Sequence, residues 1–321
     1  MSGGETRGRV ALLHGGVLLL LFALNFVLPE YHHGVMARVL VLAVFAMGYN
    51  LLFGYTGLLS LGHAMFFSAG LYGAGLPVYH LGFGPLGAFV AGTACGLLLS
   101  AVIGALALRT TGVAFMIVTM MFAQVFYLAI LYLNAWTGGD QGLVLDQALR
   151  RVSLAGLEFD LTDPTIRYMV ALGLFGIVTA GMIALARAPY GRVLVAIREN
   201  EERTRMLGYD VFVNKLVAVI VSGTVSAAAG AAYALLFGYV GSTFASVQYS
   251  ILPLLWVLLG GAATVLGPFV GTLFMYYVVD VASSYTSAWL LIVGLALILL
   301  VLFFPKGALG TLRERHLRWL P

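Results

Sequence analysis

Charged side chains, which could catalyse reactions or bind partners, are scarce in this sequence and unevenly spread. Nine of the 30 charged residues lie between Arg187 and Asp210, a stretch of 24 positions. The chain contains no recognisable catalytic constellation, and no segment matches G-x-x-x-x-G-K-[ST], the loop that cradles nucleotide phosphates. The sequence therefore predicts that this chain is not an enzyme and that the charged stretch is a binding or connecting surface.

The overall composition makes such a cluster unusual. Hydrophobic residues form 61% of the chain and charged residues 9%, with a mean hydropathy of +1.01, whereas soluble domains carry about 25% charged residues. Several apolar runs reach the ~20 residues that a helix needs to cross a bilayer. These runs are continuous rather than alternating, which excludes a β-barrel. The sequence therefore predicts an all-α polytopic membrane protein.

Ten apolar segments are predicted to be transmembrane or partly spanning helices of a single domain, residues 1–321. They are residues 10–28, 37–53, 58–80, 85–108, 112–133, 166–187, 211–237, 247–266, 268–284 and 286–304. Residues 58–80 and 247–284 are rich in Gly and Ser, so two short or broken helices fit them as well. The first segment is predicted to be a retained helix, because it is longer than a usual signal core and lacks a small-x-small cleavage site.

Lysine and arginine predict the orientation, since they concentrate on the cytoplasmic side of membrane proteins. With the N-terminus inside, 13 of the 17 Lys and Arg residues lie on that side, and the opposite orientation inverts the ratio. Both termini are therefore predicted to be cytoplasmic. The loop of residues 134–165 is then external and acidic, and its acids include Asp140, Asp146, Glu158 and Asp160.

The charged stretch has the features of one short amphipathic helix. Pro189 suits a first helical turn, and Gly208 suits the left-handed conformation that ends many helices. Val193, Leu194 and Ile197 recur at spacings of three and four, which forms a short apolar stripe. From these residues three roles remain open: a solvated connector, a helix on the lipid surface, or a helix that docks into a groove of a partner.

Two glycine-rich segments are candidates for lining a path through the membrane. Their key residues are Asn50, Gly54, Thr56, Gly57, Ser60 and His63 in the first, and Gly260 and Gly261 in the second. Glycine weakens a helix interior by about 1 kcal/mol relative to alanine, and broken helices offer backbone groups to a substrate. Small residues also let helices pack closely, with His63 hydrogen-bonded to a neighbouring helix. Both interpretations remain open for both segments.

One internal similarity fits an inverted-topology repeat. The stretches LLFGYTG (residues 51–57) and LLFGYVG (residues 235–241) follow predicted spans that run in opposite directions. Chance similarity explains them equally well, because Leu, Gly, Phe and Tyr are abundant in this chain.

The isolated polar residues predict no metal or proton-relay site. Asp280 is followed at once by polar residues, so we expect it at the external end of its span rather than in the bilayer centre. Glu30, His32 and His33 occupy a short turn without a fourth ligand or the spacing of a zinc site. Cys95 is the single cysteine, which excludes a disulfide framework and a thiolate metal site.

Four segments resemble LivM-type permeases, the membrane subunits of branched-chain amino acid ABC importers. In chain order they are NLLFGYTGLLSLGHAMFFSAGLY (residues 50–72), TGGDQGL (137–143), PYGRVLVAIRENEERTRMLGYDV (189–211) and LLGGAATVLGPFVG (258–271). The resemblance covers essentially the whole chain and implies a fold like that of type II ABC importer permeases. One departure is Ala263, where the family usually has glycine.

The resemblance also favours the docking role for the charged stretch. In that family the corresponding loop carries the coupling helix, which fits a cleft on the ATP-hydrolysing subunit, so residues 189–208 are the expected coupling helix. We expect Val193, Leu194 and Ile197 to be its apolar anchors. The polar rim and the end of the helix are expected to be Arg192, Arg198, Glu199, Asn200, Glu201 and Gly208.

The expected partners are implied by the same resemblance. They are a second, homologous permease, two ATP-binding subunits that carry ATP and Mg, the lipid bilayer, and a periplasmic or surface substrate-binding protein that would meet Asp140, Asp146, Glu158 and Asp160. No cofactor is expected on this chain, and no nucleic acid partner. The expected place is the bacterial cytoplasmic (inner) membrane, and the expected function is import of branched-chain or related amino acids by alternating access.

Two alternative functions are compatible with the sequence. A related permease could carry urea or short amides, because members with those substrates look much alike. An ion-coupled secondary transporter would need no ATPase, but it should contain buried ionisable residues, of which this chain has almost none.

Overall fold

The computed structural model describes residues 3–27, 29–154, 157–286 and 307–315, together with residues 288, 291, 294, 295, 298 and 302. Most of the predicted tenth span, residues 286–304, lies outside the described residues. The helices are α1 (Gly3–Leu24), α2 (Glu30–Asn50), α3 (Ala64–Leu81), α4 (Pro85–Ala107), α5 (Val113–Tyr132), α6 (Asn134–Thr137), α7 (Pro164–Arg187), α8 (Pro189–Glu199), α9 (Glu201–Met206), α10 (Val211–Phe237), α11 (Val247–Gly260), α12 (Gly267–Tyr285) and α13 (Ala308–Arg315). Four short strands are β1 (Leu143–Val144), β2 (Arg151–Leu154), β3 (Leu157–Asp160) and β4 (Tyr239–Val240).

Five helices of the described part of the chain are long and apolar enough to cross a membrane. They are Tyr31–Tyr55, Pro85–Ala107, Val113–Tyr132, Pro164–Arg187 and Val211–Phe237. Gly8–Leu24 and Val247–Gly260 are shorter apolar helices. The chain is therefore a helical, multi-pass membrane protein, whereas the number of ten spans stays a prediction.

Two predicted spans are wrong in their extent, because glycine-rich segments interrupt them. The helix expected over residues 58–80 begins only at Ala64, and the residues before it form an irregular stretch in which Gly57 has a φ of +76°. The helix expected over residues 247–266 ends at Gly260, and Gly261 has a φ of +117°. Right-handed helices exclude positive φ angles, so the chain leaves helical geometry at these glycines. The alternative of short or broken helices describes both regions.

The centre of the bundle is α2, which is buried along almost its whole length. It packs against α7, α10, α11 and α12, while α3 and α4 pack on α10. The closest approaches occur at glycines: a Cβ atom on Gly92 would lie 2.5 Å from the Gly70 carbonyl oxygen, and one on Gly230 would meet the Phe67 carbonyl. Small residues thus allow the helix backbones to approach, as in other membrane bundles.

The bundle has two faces that are defined by its connections. We call the end that carries residues 188–210 the charged face and the end that carries residues 133–163 the loop face. Helix α7 joins the two, and its 24 residues span about 36 Å at 1.5 Å per residue. The Tyr168 hydroxyl, near the start of α7, donates to the Leu21 carbonyl near the end of α1 at 2.5 Å. The first residues of α1 therefore lie toward the charged face.

The loop face is organised by two small antiparallel sheets. Strand β1 pairs with β4 directly after α10, and β2 pairs with β3 in a hairpin. Arg150 is buried, and its Nη1 donates to the Leu236 carbonyl at 3.3 Å. These contacts attach the segment between α5 and α7 to the end of α10.

Candidate functional site: the charged face and two interrupted helices

The charged stretch forms two helices rather than the single helix that its periodicity predicted. Asn200 separates α8 from α9 in an extended conformation, with a φ of −159°. Its side-chain oxygen accepts a hydrogen bond from the Arg203 N–H at 2.8 Å and caps α9. Asparagine favours this N-cap position over a helix interior, which explains the break. Gly208, after α9, has a φ of +90°.

The expected apolar anchors are turned toward this chain. Leu194 is 0% exposed and Ile197 4% exposed, so their side chains pack against the bundle and are not free to contact a partner; Val193 is half-buried. The stripe is apolar because it covers the chain's own helices. The interpretation of Leu194 and Ile197 as anchors for another subunit is therefore corrected.

Two large apolar side chains that sequence reasoning missed are exposed instead. Met206, the last residue of α9, is 84% exposed, and Leu207, which follows it, is 72% exposed. Arg192, Arg198, Glu199 and Asn200 are exposed as well. Little in the sequence indicated that Met206 and Leu207 form an exposed surface, because both lie outside the periodic apolar stripe. The outward surface of the charged face is thus an apolar pair beside mixed charges.

Two contacts fix α8 and α9 to α10. The Tyr190 hydroxyl donates to the Asn214 carbonyl at 2.8 Å, and Lys215 Nζ pairs with Glu201 Oε2 at 2.5 Å. Burial raises the pKa of Tyr190 to about 12, so its hydroxyl stays protonated at neutral pH. Glu201 also lies 3.5 Å from Arg205. Glu201, expected on the polar rim, therefore holds α9 onto α10, and Tyr190 holds α8.

Helix α8 lies on the interruption that comes after α2. Beyond Asn50 the helix continues as a π-helical turn, Leu51–Tyr55, and Arg198 Nη1 donates to the Gly54 carbonyl. A Cβ atom on Gly57 would lie 2.6 Å from Cγ of Arg198, so glycine is required there both for its φ and for the approach of α8. Arg198 therefore connects α8 directly to this turn.

Asn50 connects the first interruption to the second. Its buried side-chain amide donates from Nδ2 to the Thr264 carbonyl at 2.9 Å and accepts at Oδ1 from the Ala263 N–H at 3.0 Å. Arg313 Nη1 of α13 donates to the Ala263 carbonyl at 2.9 Å. Ala263 has a φ of +57° and is the only non-glycine with positive φ among the described residues. One side chain thus satisfies backbone groups that the break between α11 and α12 leaves unpaired.

The remaining predicted pathway residues are mostly buried and make structural contacts. Thr56 Oγ1 donates to the Leu51 carbonyl at 3.0 Å. Gly260 lies where a Cβ atom would meet the Gly267 carbonyl, and Gly261 lies next to Gly310 of α13. Close packing therefore describes the second segment well. Near the first segment a cavity of about 430 Å³ is lined by residues 56–59, the start of α5 and the turn between α8 and α9.

His63 and Ser60 lie deeper in the bundle. Both side chains are buried, and His63 Nε2 lies 2.9 Å from Ser226 Oγ and 3.3 Å from Ser222 Oγ of α10. A hydrogen bond from His63 to a neighbouring helix was one of the two predicted alternatives. The geometry is compatible with packing and with a pathway, because both serines lie on a buried part of α10.

The predicted acids of the loop face do not form one cluster. Asp140 and Asp146 are exposed, and Asp146 caps a short helical turn by accepting from the Ala148 N–H at 3.1 Å. The Thr162 hydroxyl and N–H lower the pKa of Asp160, which also lies 3.5 Å from Arg151. Asp160 thus stabilises its hairpin. The side chain of Glu158 lies outside the described part of the structure.

Asp280 lies toward the loop-face end of α12, and its predicted place at the external end of a span stays a prediction. The Tyr31 hydroxyl at the start of α2 donates to its carboxylate at 3.1 Å. This contact joins the ends of two helices at the bundle rim, away from the centre.

Comparison with known proteins identifies a family of transport permeases. Residues 32–302 match the family described as branched-chain amino acid transport system, permease component. The chain is 26% identical to the high-affinity branched-chain amino acid transport system permease protein LivM of Escherichia coli (strain K12), over 93% of this chain and 75% of the relative. It is 26% identical to the LivM protein of Salmonella typhimurium, over 98% and 78%.

A similarity over a shorter part of the chain is to a permease named for a different solute. It is 28% identical to the autoinducer 2 import system permease protein LsrC of Klebsiella pneumoniae, over 58% of this chain and 54% of the relative. No solved structure matches the chain. The chain belongs to the family of branched-chain amino acid transport permeases, membrane components of ABC transport systems in which ATP hydrolysis lies with separate subunits.

Proposed function

We propose that this chain imports branched-chain or related amino acids by alternating access, driven by ATP hydrolysis on neighbouring subunits. The observation that carries the proposal is the contact between α8 and the interruption after α2, made by Arg198 and the Gly54 carbonyl. This hydrogen bond connects the charged face to the interrupted helices. The relatives named for branched-chain amino acid transport support the choice of solute.

The charged face is the proposed docking site of an ATP-binding subunit. Met206 and Leu207 would fill an apolar cleft, with Arg192, Glu199 and Asn200 around them setting the register. This face would then be cytoplasmic, in agreement with the excess of lysine and arginine on that side. The assembly would contain two such ATP-binding subunits, a second permease, and a binding protein that meets Asp140 and Asp146 on the loop face.

In the proposed mechanism, the displacement of α8 is transmitted through two sets of hydrogen bonds. Displacement of α8 moves Arg198 and the turn Leu51–Tyr55, and Asn50 passes the displacement to Ala263 and Thr264. Because the Asn50 amide makes both bonds, the two interruptions would rearrange together. Packed helices change between discrete arrangements rather than deforming continuously, which suits a gate.

The docking surface is tested by copurification. Leu207→Asp places a charge in the proposed apolar contact and should lower the recovery of ATP-binding subunits with this chain at least tenfold. Val144→Asp is the matched control, since Val144 is 72% exposed but lies on the loop face. Equal recovery with both variants would contradict docking at Met206 and Leu207.

The solute is tested in proteoliposomes that contain the assembled transporter. We expect ATP-dependent uptake of leucine with its binding protein, and none when the nucleotide-binding lysine of the ATPase is replaced. Autoinducer 2 is the second candidate solute because of the LsrC relative, and urea is the negative comparison. Uptake of autoinducer 2 or urea but not of leucine would overturn the proposed substrate while leaving the permease role intact.

A further inference from the structure

His63 lies where its proton can be assigned from the surrounding hydrogen bonds. Ser226 Oγ donates to the Ser222 carbonyl at 2.9 Å, and Ser222 Oγ donates to the Gly48 carbonyl at 2.5 Å. Both hydroxyl hydrogens are therefore used, and both serine oxygens can only accept from the imidazole. The His63 ring carries its hydrogen on Nε2 and points it at these two oxygens.

This tautomer leaves Nδ1 of His63 as a bare hydrogen-bond acceptor in the interior. The side chain is 0% exposed, and Nδ1 has no partner within the described residues. Neither do the buried hydroxyls of Tyr49 and Ser60, and the Tyr49 hydroxyl lies beside the Ser60 backbone. Buried polar groups are nearly always paired, because burying them unpaired costs free energy. Three such groups at the end of α2 and the start of α3 require an explanation.

The surroundings of these polar groups are aromatic. Phe45 stacks on the His63 ring with the centroids 5.9 Å apart, and the rings of Tyr49 and Phe66 meet it edge-on at 5.1 and 5.3 Å. From Phe45 the aromatic contacts continue to Tyr249 and toward the loop face. A few polar groups within an apolar, aromatic lining is the usual composition of a small-molecule site.

We propose that His63 Nδ1 and the hydroxyls of Tyr49 and Ser60 form an occluded recognition site for the zwitterionic end of an amino acid. One acceptor and two donors complement one ammonium and one carboxylate. The surrounding rings favour a cation by cation–π attraction and accept an aliphatic side chain. This inference rests on the proposed function, and it assigns the solute's contact residues. In the present conformation the site is closed, and movement of the adjacent interruption at residues 56–62 would open it.

Variants that remove only a hydroxyl test the site without disturbing the fold. Tyr49→Phe and Ser60→Ala delete buried hydroxyls that have no partner within the described residues, so a purely structural role predicts unchanged or higher stability. We expect each to lower leucine uptake about tenfold in proteoliposomes with the binding protein saturated. Tyr72→Phe is the matched control, because its hydroxyl is also unpartnered among the described residues but lies elsewhere on α3. Unchanged uptake in both test variants would overturn the proposal.

A second pair of variants tests the histidine itself. His63→Gln keeps a donor for the two serines but has no acceptor at the Nδ1 position, whereas Ser226→Ala removes one partner of Nε2 and leaves Nδ1 intact. We expect His63→Gln to lose at least 90% of leucine uptake while ATP hydrolysis stimulated by the binding protein persists, and Ser226→Ala to stay within twofold of wild type. Equal losses in both would assign His63 to packing. If wild type itself transports no amino acid, the proposed function fails instead.

Discussion

Two heptapeptides with nearly the same sequence have different structures at the two ends of this bundle. Leu51–Gly57 and Leu235–Gly241 are identical at six positions and differ only at Thr56 and Val240. The first forms a π-helical turn that leads into an irregular stretch near the charged face. The first three residues of the second heptapeptide complete α10. The helix ends at Gly238, which has a φ of +69°, and the chain then continues as strand β4 at the loop face. The same residues end a helix in both places, but the neighbouring segments decide which structure the chain adopts next.

An arginine from a neighbouring segment contacts each heptapeptide. Arg198 donates to the Gly54 carbonyl, and Arg150 donates to the Leu236 carbonyl. Arg198 belongs to a helix on the exposed charged face, whereas Arg150 belongs to a segment held by the pairing of β1 with β4. The heptapeptide at the loop face is therefore held by backbone pairing in a sheet, whereas the heptapeptide at the charged face is held by a side-chain contact. Opposite placement suits an inverted repeat, which stays a prediction.

The largest effect is expected from Asn50, which has no counterpart before the second heptapeptide. Asn50→Ala leaves the Ala263 N–H and the Thr264 carbonyl without their partner, at about 1–3 kcal/mol each. Thermal unfolding in detergent should show a loss of about 2–6 kcal/mol, and uptake should be abolished. Asn134→Ala, at an exposed loop-face position, should change stability by less than about 0.5 kcal/mol. A stable and active Asn50→Ala protein would refute the bridge between the interruptions.

Variants of the two arginines should separate an effect on the coupling of ATP hydrolysis to transport from an effect on stability. Arg198→Gln removes the contact of α8 with the turn, so we expect ATP hydrolysis stimulated by the binding protein to fall at least fivefold. Arg150→Gln removes a buried hydrogen bond of about 1–3 kcal/mol, so it should lower the unfolding temperature but leave the ratio of uptake to ATP hydrolysis unchanged. Arg109→Gln, exposed in the turn between α4 and α5, is the control for lost charge. An equal effect of Arg198→Gln and Arg150→Gln on coupling would argue against a special role for α8.

The glycines of the two heptapeptides permit a smaller comparison. Gly57 and Gly238 both have positive φ, and a Cβ atom on either would lie within 3.0 Å of an arginine side chain. Alanine at each should cost about 1–2 kcal/mol from the backbone alone. We expect only Gly57→Ala to impair coupling, because only it displaces Arg198. Chemical denaturation and ATPase assays on the same preparations distinguish the two effects, and loss of coupling in both variants would contradict this expectation.

The smallest expected effect is a gain in stability at Ala263. Its φ of +57° strains an alanine by about 1–2 kcal/mol, and glycine relieves the strain at an entropic cost of about 0.4–1 kcal/mol. Ala263→Gly should therefore stabilise the protein by about 0.5–1 kcal/mol with uptake retained. A lower unfolding temperature in this variant would show that the Ala263 methyl group contributes more by packing than it costs by strain.

Helix types and most helix ends could be predicted from the sequence, because they depend on local properties. Long apolar runs predicted α4, α5, α7 and α10 to within a few residues, and the glycines marked the interruptions. The break at Asn200 was missed, since an asparagine in a polar segment is compatible with a helix until its N-cap hydrogen bond to Arg203 is known. The orientation of the α8 stripe was missed because periodicity identifies an apolar face but not the surface that covers it.

The sequence predicted the two segments of the candidate site separately. It did not predict the hydrogen bonds that connect them. Asn50 and Ala263 stand more than 200 positions apart, and no sequence pattern joins an amide to two distant backbone groups. The unpaired Nδ1 of His63 likewise depends on two serines of α10.

By itself the sequence determined the membrane-embedded helical class, the family, the absence of a nucleotide-binding loop and the places where helices stop, because hydropathy, motif spacing and glycine conformation act over short distances. The tertiary structure decided which side of α8 is covered, how Asn50 links the two interruptions, and which buried polar groups stay unpaired. These three features depend on the packing of residues that are distant along the chain. A hydrogen bond between two segments, or the burial of one side of a helix, forms only when two surfaces meet.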